Sequence, residues 1–383
     1  MTRLGLSILL LALATGCAQV EAPRGGPEEF PAPRVLDVRP DSLAVLPGFR
    51  DDVVVEFQHR ISEQNLAEAV RVTPRTSGVL VSRHLNRLRI RLQEGWVPDV
   101  IYKVTVGPPL QDRWGGRFED TLRIVFSTGP EIPETRVEGR VTDRVTGEGV
   151  EEARVEAIRM ADSLVYETYT RADGSFRLDR IPEGDFLIRG YEDLNANQTL
   201  DPFEPRDTAR RVVREEAPVE LSFRLLAPDD TPPVAEEVAW DGERTVITFD
   251  DYLDPLQDID PEQVTVRDAA GAGVPVTRVV VATADRPEVV ADEEEPETPP
   301  EPAPIEVDPE AVEVEPLPSR DLHVYLADPL VQGAEYRVVV RGVRNLHGLE
   351  GEDVLVLEVP VAEPDEPEDP DPPVTEPPDS PSP

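Results

Sequence analysis

The segment Leu88-Arg89-Ile90-Arg91-Leu92 places an apolar side chain at every second position, with arginines between. That period puts the apolar set on one face and the charges on the other, as in a half-buried antiparallel strand. Alternating or β-branched runs recur at residues 53–57, 70–73, 78–81, 102–106 and 122–126, with turn residues between them. Six such runs within residues 31–129 predict a β-sandwich. The pattern then returns. Residues 245–255 parallel 53–62, and 263–266 parallel 69–72. Residues 322–326 and 334–340 parallel 88–92 and 101–106. Residues 345–351 stand where 112–118 stood, and 354–359 where 122–126 stood. A second sandwich of the same type is therefore expected over 231–361, with a third β-rich module at 133–228 between the two. The fold class is all-β, in tandem β-sandwich domains.

The repeat breaks at one link. Residues 83–86 join two strands in the first module, whereas residues 285–319 fill the same place with Glu, Pro and Val. Such a composition buries too little apolar surface to offset its chain entropy, so a disordered acidic insertion is expected. At a hairpin tip it costs little, because closure entropy grows only logarithmically with length. The tail 362–383 has the same Pro-rich, acidic character and the same expectation.

Charge narrows the function. The chain carries −40 at pH 7. Nucleic acid is excluded as a partner, since binding phosphates requires Lys and Arg to displace counterions. Acid in excess keeps an exported protein soluble. The one cysteine, Cys17, leaves no intramolecular disulfide.

Arg3 and the apolar run 4–14 begin the chain, a run shorter than the roughly 20 residues that span a bilayer. Leu13-Ala14-Thr15-Gly16-Cys17 follows and resembles the lipobox of bacterial lipoproteins. The resemblance implies a signal peptide at 1–16, diacylglycerol on the Cys17 thiol, and acylation of the new amine. Multiple acyl chains anchor stably. The alternative is a secretory signal followed by a chance cysteine. Ala18 in place of aspartate favours the outer membrane, facing the periplasm or the cell surface. Residues 17–30 read as a tether, and Pro23-Arg24-Gly25-Gly26-Pro27 resembles the start of lipoproteins bearing S-layer-type Ig-like domains.

Two further resemblances concern the modules. Gln111-Asp112-Arg113-Trp114-Gly115-Gly116, with Phe126-Ser127-Thr128-Gly129, is similar to the ending of S-layer-type Ig-like domains. Residues 137–143, 147–155, 170–178 and 181–186 together resemble the carboxypeptidase regulatory-like domain, which implies a small transthyretin-type sandwich with a structural role. Within it, Asp173-Gly174 is a type I′ hairpin signal.

Candidate chemistry is confined to one loop. Counted from Asp193, oxygen-bearing side chains fall at positions 3 (Asn195), 5 (Asn197), 9 (Asp201) and 12 (Glu204), and Thr199 at 7 could offer its carbonyl. This is the spacing of an EF-hand loop, so Ca²⁺ is the expected cofactor, bound in the roughly micromolar to millimolar range. Gln198 departs from the pattern where glycine is usual, and the flanks read as strands rather than helices. The competing reading is an Asx-rich turn in which these side chains bond their own backbone. No metal pairing links His59, His84, His323 and His347, and no nucleophile or phosphate-loop motif occurs. The chain is read as non-catalytic: a lipid-anchored envelope protein that meets an envelope protein or polysaccharide. The alternatives are a docking subunit of an envelope enzyme or transport complex and, less favoured, a hydrolase.

Overall fold

The computed structural model describes residues 32–284 and 315–361. The signal peptide (1–16), Cys17, the tether (17–30), positions 285–314 of the insertion and the tail (362–383) lie outside the described residues.

In the first module the strands are β1 (Val35–Arg39), β2 (Ala44–Val45), β3 (Val53–Phe57) and β4 (Val70–Thr73). They continue with β5 (Val79–His84), β6 (Arg87–Leu92), β7 (Ile101–Val106) and β8 (Leu122–Ser127). They form two sheets, ordered β1-β3-β6-β5 and β2-β8-β7-β4. Alternation decides what faces inward. Val53, Val55 and Phe57 of β3 meet Leu88, Ile90 and Leu92 of β6 and Val104 and Val106 of β7, all buried. Trp96 closes one end of this core, its ring 4.9 Å from Tyr102 and 5.1 Å from Phe126 in edge-on contacts.

The middle module contains β9 (Arg136–Asp143), β10 (Arg154–Arg159), β11 (Val165–Tyr169) and β12 (Ser175–Asp179). After these come β13 (Gly184–Tyr191), β14 (Arg206–Val213) and β15 (Val219–Leu225). Its sheets are β11-β10-β13-β14 and β12-β9-β15, with β15 parallel to β9. Gly139 of β9 lies so close to β15 that a Cβ there would sit 1.8 Å from the Leu221 carbonyl oxygen. The expected hairpin at Asp173-Gly174 does not form. The strands on either side, β11 and β12, belong to opposite sheets, so the turn carries the chain across the sandwich. A type I′ turn needs positive φ at both central residues, and of this pair only Gly174 has it, at 79°.

The third module comprises β16 (Ala235–Trp240), β17 (Thr245–Phe249), β18 (Val264–Asp268) and β19 (Gly273–Val274). The remaining strands are β20 (Val276–Ala284), β21 (Leu317–Leu326), β22 (Glu335–Arg344) and β23 (Glu350–Glu358). The sheets are β16-β17-β21-β20 and β19-β18-β22-β23. The anticipated repeat is present in detail. An isolated bridge ties Ile61 to Asp112 in the first module and Leu253 to Asn345 in the third. The two differ at both edges of one sheet: β2 flanks β8 in the first module, whereas in the third β19 flanks β18, the counterpart of β4. One boundary shifts: β21 opens at Leu317, so residues 317–319 belong to a strand rather than to the insertion. The pairing of Ala284 with Leu317 begins the ladder, and burial of the Leu317 side chain holds it there.

Neighbouring modules touch through specific polar contacts. The Thr73 hydroxyl, at the end of β4, donates to Val165 O at 3.2 Å and accepts from Glu167 N at 3.0 Å. Beside it the Arg71 guanidinium lies 4.3 Å over the Tyr169 ring. Between the second and third modules, Arg144 donates to Leu346 O at 3.3 Å, and His347 Nε2 lies 2.9 Å from Ala227 O.

Candidate functional site

The candidate loop joins two adjacent antiparallel strands. The chain leaves β13 at Tyr191 and enters β14 at Arg206, which are paired across the ladder. Inside that closure each expected side chain except that of Thr199 has a defined partner. Asp193 accepts from Asn197 N at 3.0 Å and from Gln198 N at 2.7 Å. Asn195 Oδ1 accepts from Asn197 N, and Asn197 Oδ1 from Thr199 N. Thr199 itself is exposed. Asp201 Oδ2 receives the Nδ2 groups of both Asn195 and Asn197, at 2.7 and 2.8 Å. Glu204 is fully buried, with Oε1 accepting from Leu194 N at 3.1 Å and Oε2 from Asp201 N at 2.9 Å.

Three of the predicted ligands, Asn195, Asn197 and Asp201, therefore converge. Asp193 instead turns its carboxylate onto backbone amides in the middle of the loop, and Glu204 onto amides near its two ends. Among the described residues, no three His, Cys, Asp or Glu side chains gather as metal ligands. The donor set still suits a cation in one respect. A half-turn of an Asn amide exchanges its nitrogen for its oxygen, so the same convergence can present oxygens. Each carboxylate oxygen of Asp193 and Glu204 also keeps a second lone pair beyond its amide bond. Gln198, the residue that breaks the motif, adopts φ 62° and so supplies the left-handed bend usually left to glycine. The loop also reaches the first module, where Arg75 donates to Gln198 Oε1 at 3.3 Å.

Two polar clusters escaped the sequence reading. On the outer face of the β10 sheet, Arg154 Nε lies 2.9 Å from Glu156 Oε1, and Arg154 also pairs with Glu167. Arg189 lies 2.6 Å from Glu156, and the Tyr191 hydroxyl donates to the same carboxylate at 3.0 Å. Burial raises the pKa of Glu167, an effect that Arg154 opposes, and burial raises that of Tyr191. Along β10 the charges Arg154 and Glu156 stand two residues apart, a spacing that by itself does not distinguish a buried ion-pair cluster from a solvated strand face.

The other cluster has the look of catalysis. His59 Nδ1 lies 3.1 Å from Asp112 Oδ2, and Asp112 is nearly fully buried. Asp112 Oδ1 accepts from Trp114 N and Gly116 N, both at 2.9 Å. In the third module the equivalent residues are Asp251 and Asn345. Asn345 donates to Asp251 at 2.8 Å and accepts from His347 N and Leu349 N, both at 3.0 Å. The same clamp on the same turn is thus built once from His and Asp and once from Asp and Asn. A role shared by both versions cannot depend on imidazole chemistry; it is to hold the turn.

Among the described residues, no helix is long and apolar enough to cross a membrane. A comparison with curated proteins finds no match. Three solved structures that align with the chain are all low in identity. The major pilin subunit BcpA of Bacillus cereus is 11% identical over 50% of this chain and 70% of its own, at a TM-score of 0.19. A putative carbohydrate binding protein from Bacteroides uniformis is 14% identical over 59% of this chain and 100% of its own, at 0.20. The N-terminal part of the bacterial S-layer protein SbsC is 18% identical over 52% of this chain and 44% of its own, at 0.19. The middle module has a family match: residues 136–207, from the start of β9 past the candidate loop into β14, match the Carboxypeptidase regulatory-like domain.

Proposed function

We propose that the chain is a non-catalytic protein of the cell envelope, anchored by lipid at Cys17, whose three β-sandwich modules serve a structural or binding role at the outer membrane. The observation that carries this reading is the way consecutive modules are joined. Side chains of one bond the backbone of the next, as Thr73 does on β11 and Arg144 on Leu346. Such joints suit modules that hold a fixed spacing. The repeated clamp at Asp112 and Asn345 supports it further, because the His59–Asp112 pair, which has the look of catalysis, has a structural counterpart.

The same reading gives Asp193, Asn195, Asn197, Thr199, Asp201 and Glu204 a role as a calcium loop that stiffens the middle module. Saturation at a hundred times Kd would add about 2.7 kcal/mol to its stability.

Membrane fractionation tests the anchor. The wild-type chain is expected with the outer membrane and Cys17→Ser in the soluble fraction; a Cys17→Ser chain that stays on the membrane refutes lipidation as the anchor. Thermal unfolding of the full chain in Ca²⁺ and in chelator tests the loop. The wild-type transition should rise in Ca²⁺ while that of Asp201→Ala does not. An unmoved wild-type transition refutes calcium and leaves the anchor untouched.

A further inference from the structure

Lys103 is the only lysine among the 38 Lys and Arg side chains of the sequence. It stands in the middle of β7, between the buried Tyr102 and Val104, and so on the face turned away from the core. The ladder fixes its neighbours. Arg71, Thr105 and Arg123 form one row across β4, β7 and β8, and Thr73, Lys103 and Val125 form the next. Direct cross-strand neighbours are about 5 Å apart and diagonal ones about 7–8 Å, within reach of long side chains. Three cations therefore share one patch of sheet.

On this patch Arg71 and Arg123 are exposed, whereas Lys103 between them is half-buried. Across a cleft of about 190 Å³ stands β11, with Glu167 and Tyr169. The acids on that side are already engaged. Glu167 pairs with Arg154, and Asp179 of β12 takes Arg177 at 2.8 Å. Glu68, at the rim, is exposed. Among the described residues the side chains of Lys103 and Arg123 make no hydrogen bond or ion pair, while Arg71 lies over the face of Tyr169 and within the field of the Glu167 carboxylate. Burial and the nearby Arg123 hold the Lys103 ammonium below the usual lysine range, with Asp179 opposing and Arg177 adding to the effect. The larger cleft between the second and third modules, about 400 Å³, differs in this respect. Its Arg144, Arg206, Arg224 and His347 are all bonded, to Leu346 O, to Asp201 O and Pro202 O, to Glu315, and to Ala227 O.

A half-buried ammonium set beside two guanidinium groups carries a repulsion that one anion would relieve. Guanidinium forks and a point-charge ammonium suit a planar carboxylate or a phosphate, and the hydroxyls of Thr105 and Thr121 line the same cleft. The volume is below the roughly 300 Å³ at which whole-ligand pockets begin, so the cleft has room for one group rather than a large molecule. We propose that the cleft between the first and second modules binds a single carboxylate- or phosphate-bearing group, held by Arg71, Lys103 and Arg123.

The solitary lysine makes the test direct. Reductive ¹³C-methylation of the full chain in detergent gives one lysine resonance, whose titration is followed by NMR. Inorganic phosphate and galacturonate are the probes, with galactose and sodium chloride of matched ionic strength as controls. An anion in the cleft should raise the Lys103 midpoint by about one pH unit, because a nearby opposite charge favours the protonated amine. Galactose should leave it in place. The Arg71→Gln/Arg123→Gln chain, shown by its unfolding transition to be folded, should lose the response. A shift with phosphate alone assigns a phosphate group, and one with galacturonate alone a carboxylate-bearing sugar. No shift with either anion, an equal shift with sodium chloride, or an undiminished shift in the double variant overturns the proposal.

Discussion

Replacing Thr73 with valine isolates what one hydroxyl does between two modules. Valine keeps the shape and the strand preference of threonine, so the change leaves no cavity. It removes the donor to Val165 O and the acceptor for Glu167 N together. Thr73 is only 6% exposed, so both backbone groups would lose their partner in a largely dry place. A buried group left unsatisfied costs about 1–3 kcal/mol. Because the adjoining cleft lets water reach one of the two, the expected total is about 2 kcal/mol, near the low end of the sum. At 1.4 kcal/mol per factor of ten, the Glu167 amide should exchange its hydrogen about 30-fold faster under native conditions. Native-state hydrogen exchange reads this residue by residue. The amides of Val104 and Val155, inside the two sandwiches, should keep their protection. An unchanged Glu167 amide would refute the contact. An equal loss at Val104 and Val155 would show that the hydroxyl supports the modules themselves rather than their junction.

Gly139→Ala should destabilise the middle module by on the order of 3 kcal/mol or more in urea unfolding, because its methyl would overlap the Leu221 carbonyl and force β15 off β9; a loss below about 1 kcal/mol would mean that the parallel pair yields easily. Asp112→Ala strips partners from Trp114 N, Gly116 N and His59 together and should cost about 2–4 kcal/mol, whereas His59→Ala, which spares both amides, should cost less than half as much. Equal losses would contradict the clamp. Burial, with Arg244 beside it, lowers the pKa of His323, so the folded chain favours the neutral ring. The unfolded chain takes up the proton first as pH falls through about 6.5, so stability should decline from there and level off below the folded value. His323→Gln should flatten that part of the urea-midpoint profile; superimposable profiles would contradict the assignment.

Strands with clean alternation were legible as sequence. β6 reads RLRIRL and buries Leu88, Ile90 and Leu92 in strict turn. β1 and β16 were not legible, for a physical reason. Each carries a register shift, between Val35 and Asp37 and between Ala235 and Glu237, which interrupts the period of two on which the reading depends. The Asp173-Gly174 signal was real as a turn and misleading as a hairpin, because no local residue says which sheet the next strand joins. In the candidate loop the spacing of oxygens was legible. The positive φ of Gln198 and the complete burial of Glu204 were not, since both arise from how the loop folds back on itself. Thr73 and Glu167, 94 residues apart, meet only in space. The solitary lysine was visible in the composition, but its meaning depends on which arginines the ladder sets beside it.

β11 is the outermost strand of its sheet, and an outermost strand exposes a row of amides and carbonyls to which any extended peptide can pair. Here the first module closes part of that row with a side chain instead of a strand. The contact thus leaves less of that edge open to pairing with another chain. Conditions or substitutions that part the first two sandwiches would be expected to yield oligomers joined through β11, with both cores still folded.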